Sequence, residues 1–174
     1  MENPHIVRFL KKQGYEVGVC LGSGSEGTVW KIKNRKNTVL KHTTSDREYE
    51  IFRYLSKLRK ALDFFPKVKK VWRRTSLDEN MPVLIVREDV ADIDEEEHSR
   101  YSNDFDRLIN ADFDEAEFSS SQKDWFIRVR RWCNEHNWLL LDLHSENIGK
   151  RNDTLVIRDL GLCSRTYREE ENES

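Results

Sequence analysis

Three glycines interrupt an alternating run in LGSGSEGTVWK, and beyond the third the alternation resumes as TVWKIK. That continuation limits what the chain can fold into. When G-x-G-x-x-G belongs to a dinucleotide-binding unit, its third glycine opens a helix, and an acid follows about twenty residues later. Here a strand follows instead. Gly22, Gly24 and Gly27 are therefore expected in a β-hairpin, where missing side chains let backbone N–H groups approach anionic oxygens. A plain flexible turn would explain the glycines equally well, so the rest of the chain has to decide.

Around the hairpin the pattern predicts strands at Tyr15 to Leu21, Val29 to Lys33 and Thr38 to Lys41, the last after the turn NRKN. A helix comes next. Ser45 and Glu48 have capping-box spacing, Ile51, Leu55, Leu58 and Leu62 form one apolar stripe, and FFP closes the segment. Two more strands are expected at Val68 to Arg74 and Pro82 to Val86, joined by SLDEN. After a linker near Arg87 to Ala91 the sequence turns acidic and loop-like, with a short helix near Phe105 to Asn110. A firmer helix runs from Gln122 to His136, carrying Trp125, Val129, Trp132 and Cys133 on one side, and Asn137 is a good left-handed terminator. Short strands at Leu139 to Leu141, Ile148 to Lys150 and Thr154 to Ile157 close the order. Tryptophans 125, 132 and 138 read as core. This is an α+β chain of two lobes: 1–90 rich in strands, 91–165 smaller, and a disordered acidic tail at 166–174.

At 174 residues the chain can hold one domain or two small lobes sharing a core. No apolar run nears the roughly 20 residues of a membrane span, and MENPHIVRFLKK lacks a signal-peptide core. Cys20, Cys133 and Cys163 are odd in number and lack CxxC spacing, which argues against a disulfide framework or zinc site and fits a reducing cytoplasm. Charge is polarised. Lys31 to Arg74 carries fifteen Lys/Arg against four Asp/Glu, and Glu88 to Glu117 carries thirteen Asp/Glu against two arginines. Solvated faces explain the basic half better than nucleic-acid binding does.

A second polar cluster, DLHSEN at 142–147, follows three leucines, and RDLG at 158–161 adds another acid before a glycine. In chain order the motifs are GxGxxGxV, Lys41 ending VLK, Glu48 on the following helix, Asp142-xxxx-Asn147 and Asp159-x-Gly161. Together they resemble the protein-kinase-like superfamily over about Tyr15 to Gly161. The histidine two places after Asp142 is similar to the form in small kinases of T7-like phages, and also in aminoglycoside phosphotransferases.

The resemblance implies a two-lobed kinase-like fold, with a β-rich N-lobe, one αC-type helix and a truncated C-lobe. It further implies ATP and Mg2+ as cofactors. Lys41 would contact the α- and β-phosphates, held by Glu48. Asn147 and Asp159 would bind magnesium, hard oxygens suiting a hard cation, and Asp142 would accept or orient the proton of the attacking hydroxyl. Leu21, Val29 and Val39 would line the adenine pocket under Gly22, Gly24 and Gly27, with backbone groups from Glu88 to Val90 reading the adenine edge. His144 would lie near the γ-phosphate. Each residue also has a plainer reading: Lys41 an edge-strand lysine, Glu48 the other half of the Ser45 capping box with Glu50 then pairing Lys41, and His144 a satisfied loop histidine.

Several departures qualify the pattern. Leu140–Leu141 replaces the usual His-Arg before the catalytic Asp. Thirteen residues follow Gly161, and APE is absent. Gly149 replaces an apolar adenine support, and Arg158 places a cation beside Asp159. The resulting expectation is a minimal ATP- and Mg-dependent protein serine/threonine kinase lacking activation-loop control, cytoplasmic and of phage type. Its substrate would be a protein, of a host for example, and an activating partner or homodimer would cover the truncated lobe. The alternatives are a pseudokinase-like binding or inhibitory module and a small-molecule phosphotransferase. No membrane partner is expected.

Overall fold

The computed structural model describes residues 3–24, 27–73, 82–99, 120–140, 144–160 and 163–165; at 120–122 and 163–165 only the backbone is described. The chain divides into two compact units, Met1–Val90 and Ala91–Ser174.

The first unit opens with a helix outside the expected elements, α1 (Pro4–Lys12). Its start is well signalled. The Asn3 side chain accepts from the N–H groups of His5 and Ile6, Pro4 fills the first helical position, and Lys11 and Lys12 lie at the negative end of the dipole. Gly14, at φ +80°, ends it: its N–H donates to Lys11 O and that of Tyr15 to Leu10 O. This is the paired 5→2 and 6→1 closure that favours glycine. Then come β1 (Val17–Ser23), β2 (Gly27–Ile32), β3 (Thr38–Thr43), α2 (Asp46–Leu55), β4 (Val68–Arg73) and β5 (Val83–Glu88). The strands form one antiparallel sheet, ordered β1-β2-β3-β5-β4.

Register decides which side chains share a face, because residues directly opposite each other point the same way. Trp30 pairs with Leu40, Leu40 with Val86, and Leu84 with Trp72. These residues and Ile32 form a core closed by Leu10 and Ile6 of α1 and by Tyr15 and Val17. The opposite face carries Val29 beside Lys41, Lys41 beside Ile85, and Ile85 beside Val71. There α2 packs, burying Glu48, Ile51, Phe52 and Leu55.

Helix α2 stops earlier than its apolar stripe predicts, so Leu58 and Leu62 lie beyond it. Ser56 donates its hydroxyl to Arg53 O. The N–H groups of Lys57 and Leu58 bond three residues back to Tyr54 O and Leu55 O, the tightening that ends a helix.

The second unit contains β6 (Ala91–Asp92), α3 (Ser120–Glu135), β7 (Trp138–Leu140), a 3₁₀ turn (Ser145–Asn147), β8 (Ile148–Arg151), β9 (Thr154–Ile157) and β10 (Cys163–Arg165). Trp125, Phe126, Val129, Trp132 and Cys133 are buried along α3, and Trp125 donates its indole N–H to Leu155 O at 2.8 Å. Asn137 sits at φ +56° just past the helix. Strands β6, β8 and β9 make one small sheet; β7 and β10 make a two-stranded one. The expected helix near Phe105 to Asn110, the SLDEN turn and the acidic tail lie outside the described residues.

Candidate functional site

Glu48 starts α2 behind an N-cap. Ser45 Oγ accepts from Glu48 N at 3.3 Å, which is half of a capping box. In the full box the glutamate reaches back to the cap N–H. Here Thr43 Oγ1 accepts from Ser45 N at 3.1 Å, so the cap is served from β3 and the carboxylate of Glu48 turns elsewhere. It meets Lys41 Nζ at 2.7 Å, with both side chains almost wholly removed from solvent. Thr43 is a participant that the sequence pattern did not bring forward. The spacing Thr43-x-Ser45 is its only signal.

The glycines of the β1–β2 hairpin divide into two kinds. A Cβ on Gly27 would lie 2.2 Å from His42 O, so glycine there is required by the close approach of β2 to β3. A Cβ on Gly22 or Gly24 would meet nothing within 4 Å, and neither residue adopts a positive φ. The described protein atoms give no steric reason for glycine at either place. Gly24 N donates to Gly27 O at 2.8 Å, and the Ser23 and Thr28 hydroxyls bond across the hairpin at 2.9 Å. Pairing between β1 and β2 slips between Cys20 and Gly22. Leu21 sits at this irregularity and is 47% exposed. Val29 is partly buried, and Val39 is buried on the Lys41 face.

At the end of β5, Glu88 Oε2 accepts from Lys67 N, Asp89 N donates to Asn37 O, and Glu88 O accepts from Arg87 Nη1 at 3.0 Å. The Glu88 carbonyl thus already holds one donor. Val90 is buried.

In the second unit, the 3₁₀ turn delivers Asn147 to the start of β8. Ile148 pairs with Ile157, and Arg158 N donates to Asn147 O at 2.7 Å. The hairpin register therefore sets Asn147 beside Arg158 and diagonal to Asp159. Asn147 Nδ2 and His144 Nε2 are 2.9 Å apart, so His144 orients the carboxamide. Arg158, next to the predicted metal ligand, is directed into a local contact: its Nε donates to Glu146 O at 3.0 Å and its Nη1 pairs with Asp92. Two further ties join residues 91–98 to the same hairpin. Glu97 pairs with Lys150, and Ser145, which is buried, contacts the His98 ring at 3.2 Å. The sequence pattern registered this acidic segment only as charge. Asp142 and Gly161 lie outside the described residues.

Among the described residues, no cluster of three or more His, Cys, Asp or Glu side chains could hold a metal. Magnesium makes no such demand, since it is usually bound by one or two protein oxygens with water and substrate phosphates completing its shell. The carboxamide of Asn147 and the carboxylate of Asp159 fit that donor chemistry. No described helix is long and apolar enough to cross a membrane.

A five-stranded antiparallel sheet with a helix inserted after its lysine-bearing third strand, followed by a smaller unit of helix and short strands, is a protein-kinase-like fold with a reduced second lobe. Among solved structures with this fold is the Cydia pomonella granulovirus kinase PK-1, with 18% sequence identity and a TM-score of 0.56, the match covering 92% of this chain and 59% of that one. The chain thus spans less than two thirds of that kinase's length. At such identity the likeness establishes the fold alone. No family model matches the chain, and no curated protein matches it in sequence.

Proposed function

We propose that the chain is a minimal protein serine/threonine kinase that transfers the γ-phosphoryl group of ATP with magnesium. The observation that carries this reading is the buried Lys41–Glu48 pair. Burying an ion pair is expensive, and two apolar side chains of similar volume would pack a strand against a helix as well or better. The pair therefore calls for a chemical reason, and a lysine held in place by a carboxylate on the strand paired with the glycine hairpin is suited to polyphosphate oxygens. Gly22 and Gly24 agree with this, since the space beside them suits a ligand drawn close to the backbone.

In this reading Lys41 contacts the α- and β-phosphates while Glu48 fixes its ammonium group. Leu21, Val29 and Val39 flank the adenine, and backbone groups from Glu88 to Val90 read its edge. Asn147 and Asp159 hold magnesium, which when bound offsets charge on the phosphate oxygens. Asp142 orients the acceptor hydroxyl and receives its proton. Phosphoryl transfer depends mainly on such positioning and electrostatics. Arg158, committed to Asp92 and Glu146 O, need not compete with the metal for Asp159. The protein acceptor, freedom from activation-loop control, and assistance by an activating partner or second copy belong to the same proposal.

The test is transfer from γ-labelled ATP to protein in a lysate, comparing wild type with Asp142→Ala and Asp159→Ala. Label should appear with the wild type and fall to background in both variants. Equal transfer by wild type and Asp142→Ala would remove the proposed chemistry.

A further inference from the structure

We propose that the outer face of the first unit's sheet, the face opposite Lys41 and Glu48, holds a second site, for a small amphipathic carboxylate. A cavity of about 470 Å³ opens there between α1 and the β4–β5 pair, within the ~300–1,000 Å³ typical of small-ligand sites. Ile6, Phe9, Trp72 and Leu84 supply its apolar wall. The wall is set by packing: Phe9 and Tyr15 meet Trp72 edge-on, at 5.6 and 5.8 Å between ring centres. Such T-shaped contacts favour one indole orientation.

Charge defines the rest. His5, Arg8 and Lys12 lie at i, i+3 and i+7 along the α1 flank that borders the cavity, so they line one side of the helix. There is no acid anywhere in α1 to neutralise Arg8 and Lys12. Arg8 and Lys12 form no ion pair among the described residues. An apolar wall beside Arg8 and Lys12 complements a ligand with a hydrocarbon or aromatic body and one carboxylate. A volume of this size favours a single small molecule over a length of peptide. The site does not depend on kinase activity, because the register places Trp72 and Leu84 on the other side of the sheet from Lys41.

The test uses the full chain and three probes of equal tail length: octanoate, octanol and octyltrimethylammonium. Octanoate should quench tryptophan emission saturably, and Trp72→Phe should abolish that signal. The surface variant Arg8→Gln/Lys12→Gln should weaken octanoate binding about tenfold, the change that losing one charge-assisted contact produces, while its melting temperature stays that of wild type. Octyltrimethylammonium should not bind. Octanol and octanoate binding alike, or an unchanged affinity in the glutamine variant, would reduce the site to unspecific apolar partition and overturn the proposal. Failure of octanoate to saturate, or saturable binding of a Glu/Leu-rich peptide in its place, would overturn it too.

Discussion

The two units fix their polar groups by opposite means. In the first, Lys41 and Glu48 are enclosed by a sheet and a helix, so their charges see little water and meet at 2.7 Å. In the second, Asn147 and its neighbours are held by a 3₁₀ turn, a hairpin register and ties such as Asp92–Arg158, whose Asp92 side chain is 80% exposed. A desolvated pair couples folding to function, because removing one charge leaves the other buried without that partner. A solvated tie contributes little to stability, about 0–1 kcal/mol, and its value lies in placing atoms. Losses in the first unit should therefore appear as unfolding, and losses in the second as altered chemistry in a folded chain.

The largest expected effect tests that contrast directly. Glu48→Ala removes the carboxylate 2.7 Å from the buried Lys41 ammonium, and should destabilise the first unit by about 3–5 kcal/mol in urea denaturation. The double change Lys41→Met/Glu48→Leu, which replaces both charges by apolar volume, should recover most of that stability while abolishing phosphoryl transfer. Asn147→Ala should lie at the other extreme, with a stability change of about 1 kcal/mol and a large loss of magnesium-dependent turnover. If Glu48→Ala melted like wild type, the coupling claimed for the first unit would be wrong.

The hairpin glycines sharpen the contrast within one unit. At Gly27 an alanine Cβ would sit 2.2 Å from His42 O, against backbone that can yield only by moving strands, and overpacking of this kind costs about 1–3 kcal/mol. At Gly24 the added methyl meets open space. Gly24→Ala should leave the melting temperature unchanged and weaken MgATP binding, read as a smaller ligand-induced thermal shift. A Gly24→Ala protein that lost stability as Gly27→Ala does would show that both glycines serve the fold alone.

How much of this could be read from the sequence differs between the units in a related way. The five-stranded sheet follows from alternation, because a buried sheet enforces its period-2 pattern on the sequence, whereas the Lys41–Glu48 pairing comes only from the family resemblance, spacing alone leaving Glu50 open as the partner. Helix α1 was missed although Asn3, Pro4 and Gly14 mark its ends. Its nine residues lie in a short basic segment whose apolar positions become interpretable only against Trp72 and Leu84. The end of α2 was placed too far along because Leu58 and Leu62 keep the helical period after the Ser56 hydroxyl has turned back to Arg53 O. In the second unit, Asn137 and the buried face of α3 were evident from turn chemistry and periodicity. The ties of Asp92, Glu97 and His98 were not, since polar pairs between segments leave no period in a sequence. For the glycines, spacing alone could not separate Gly27, needed for packing, from Gly22 and Gly24, which the described atoms do not require.

The effects confined to the narrowest conditions compare two groups that are desolvated in different units and respond to opposite ends of the pH scale. His42, on β3 beside Trp30, is partly buried, and that burial lowers its pKa from 6.5. Its neutral form is favoured in the fold, so this contribution is complete above about pH 6.5 and is lost as pH falls toward the depressed folded value. Cys133, on α3, is buried, and burial pushes its thiol from 9.0 up to about 12. Its contribution is complete below pH 9 and is lost as pH rises through the interval from 9 to about 12, where the unfolded thiol ionises first. Urea midpoints measured across pH should therefore flatten on the acid side in His42→Gln and on the alkaline side in Cys133→Val, each substitution leaving the other limb as it was. Persistence of the acid limb in His42→Gln, or of the alkaline limb in Cys133→Val, would show that the limb arises from another group.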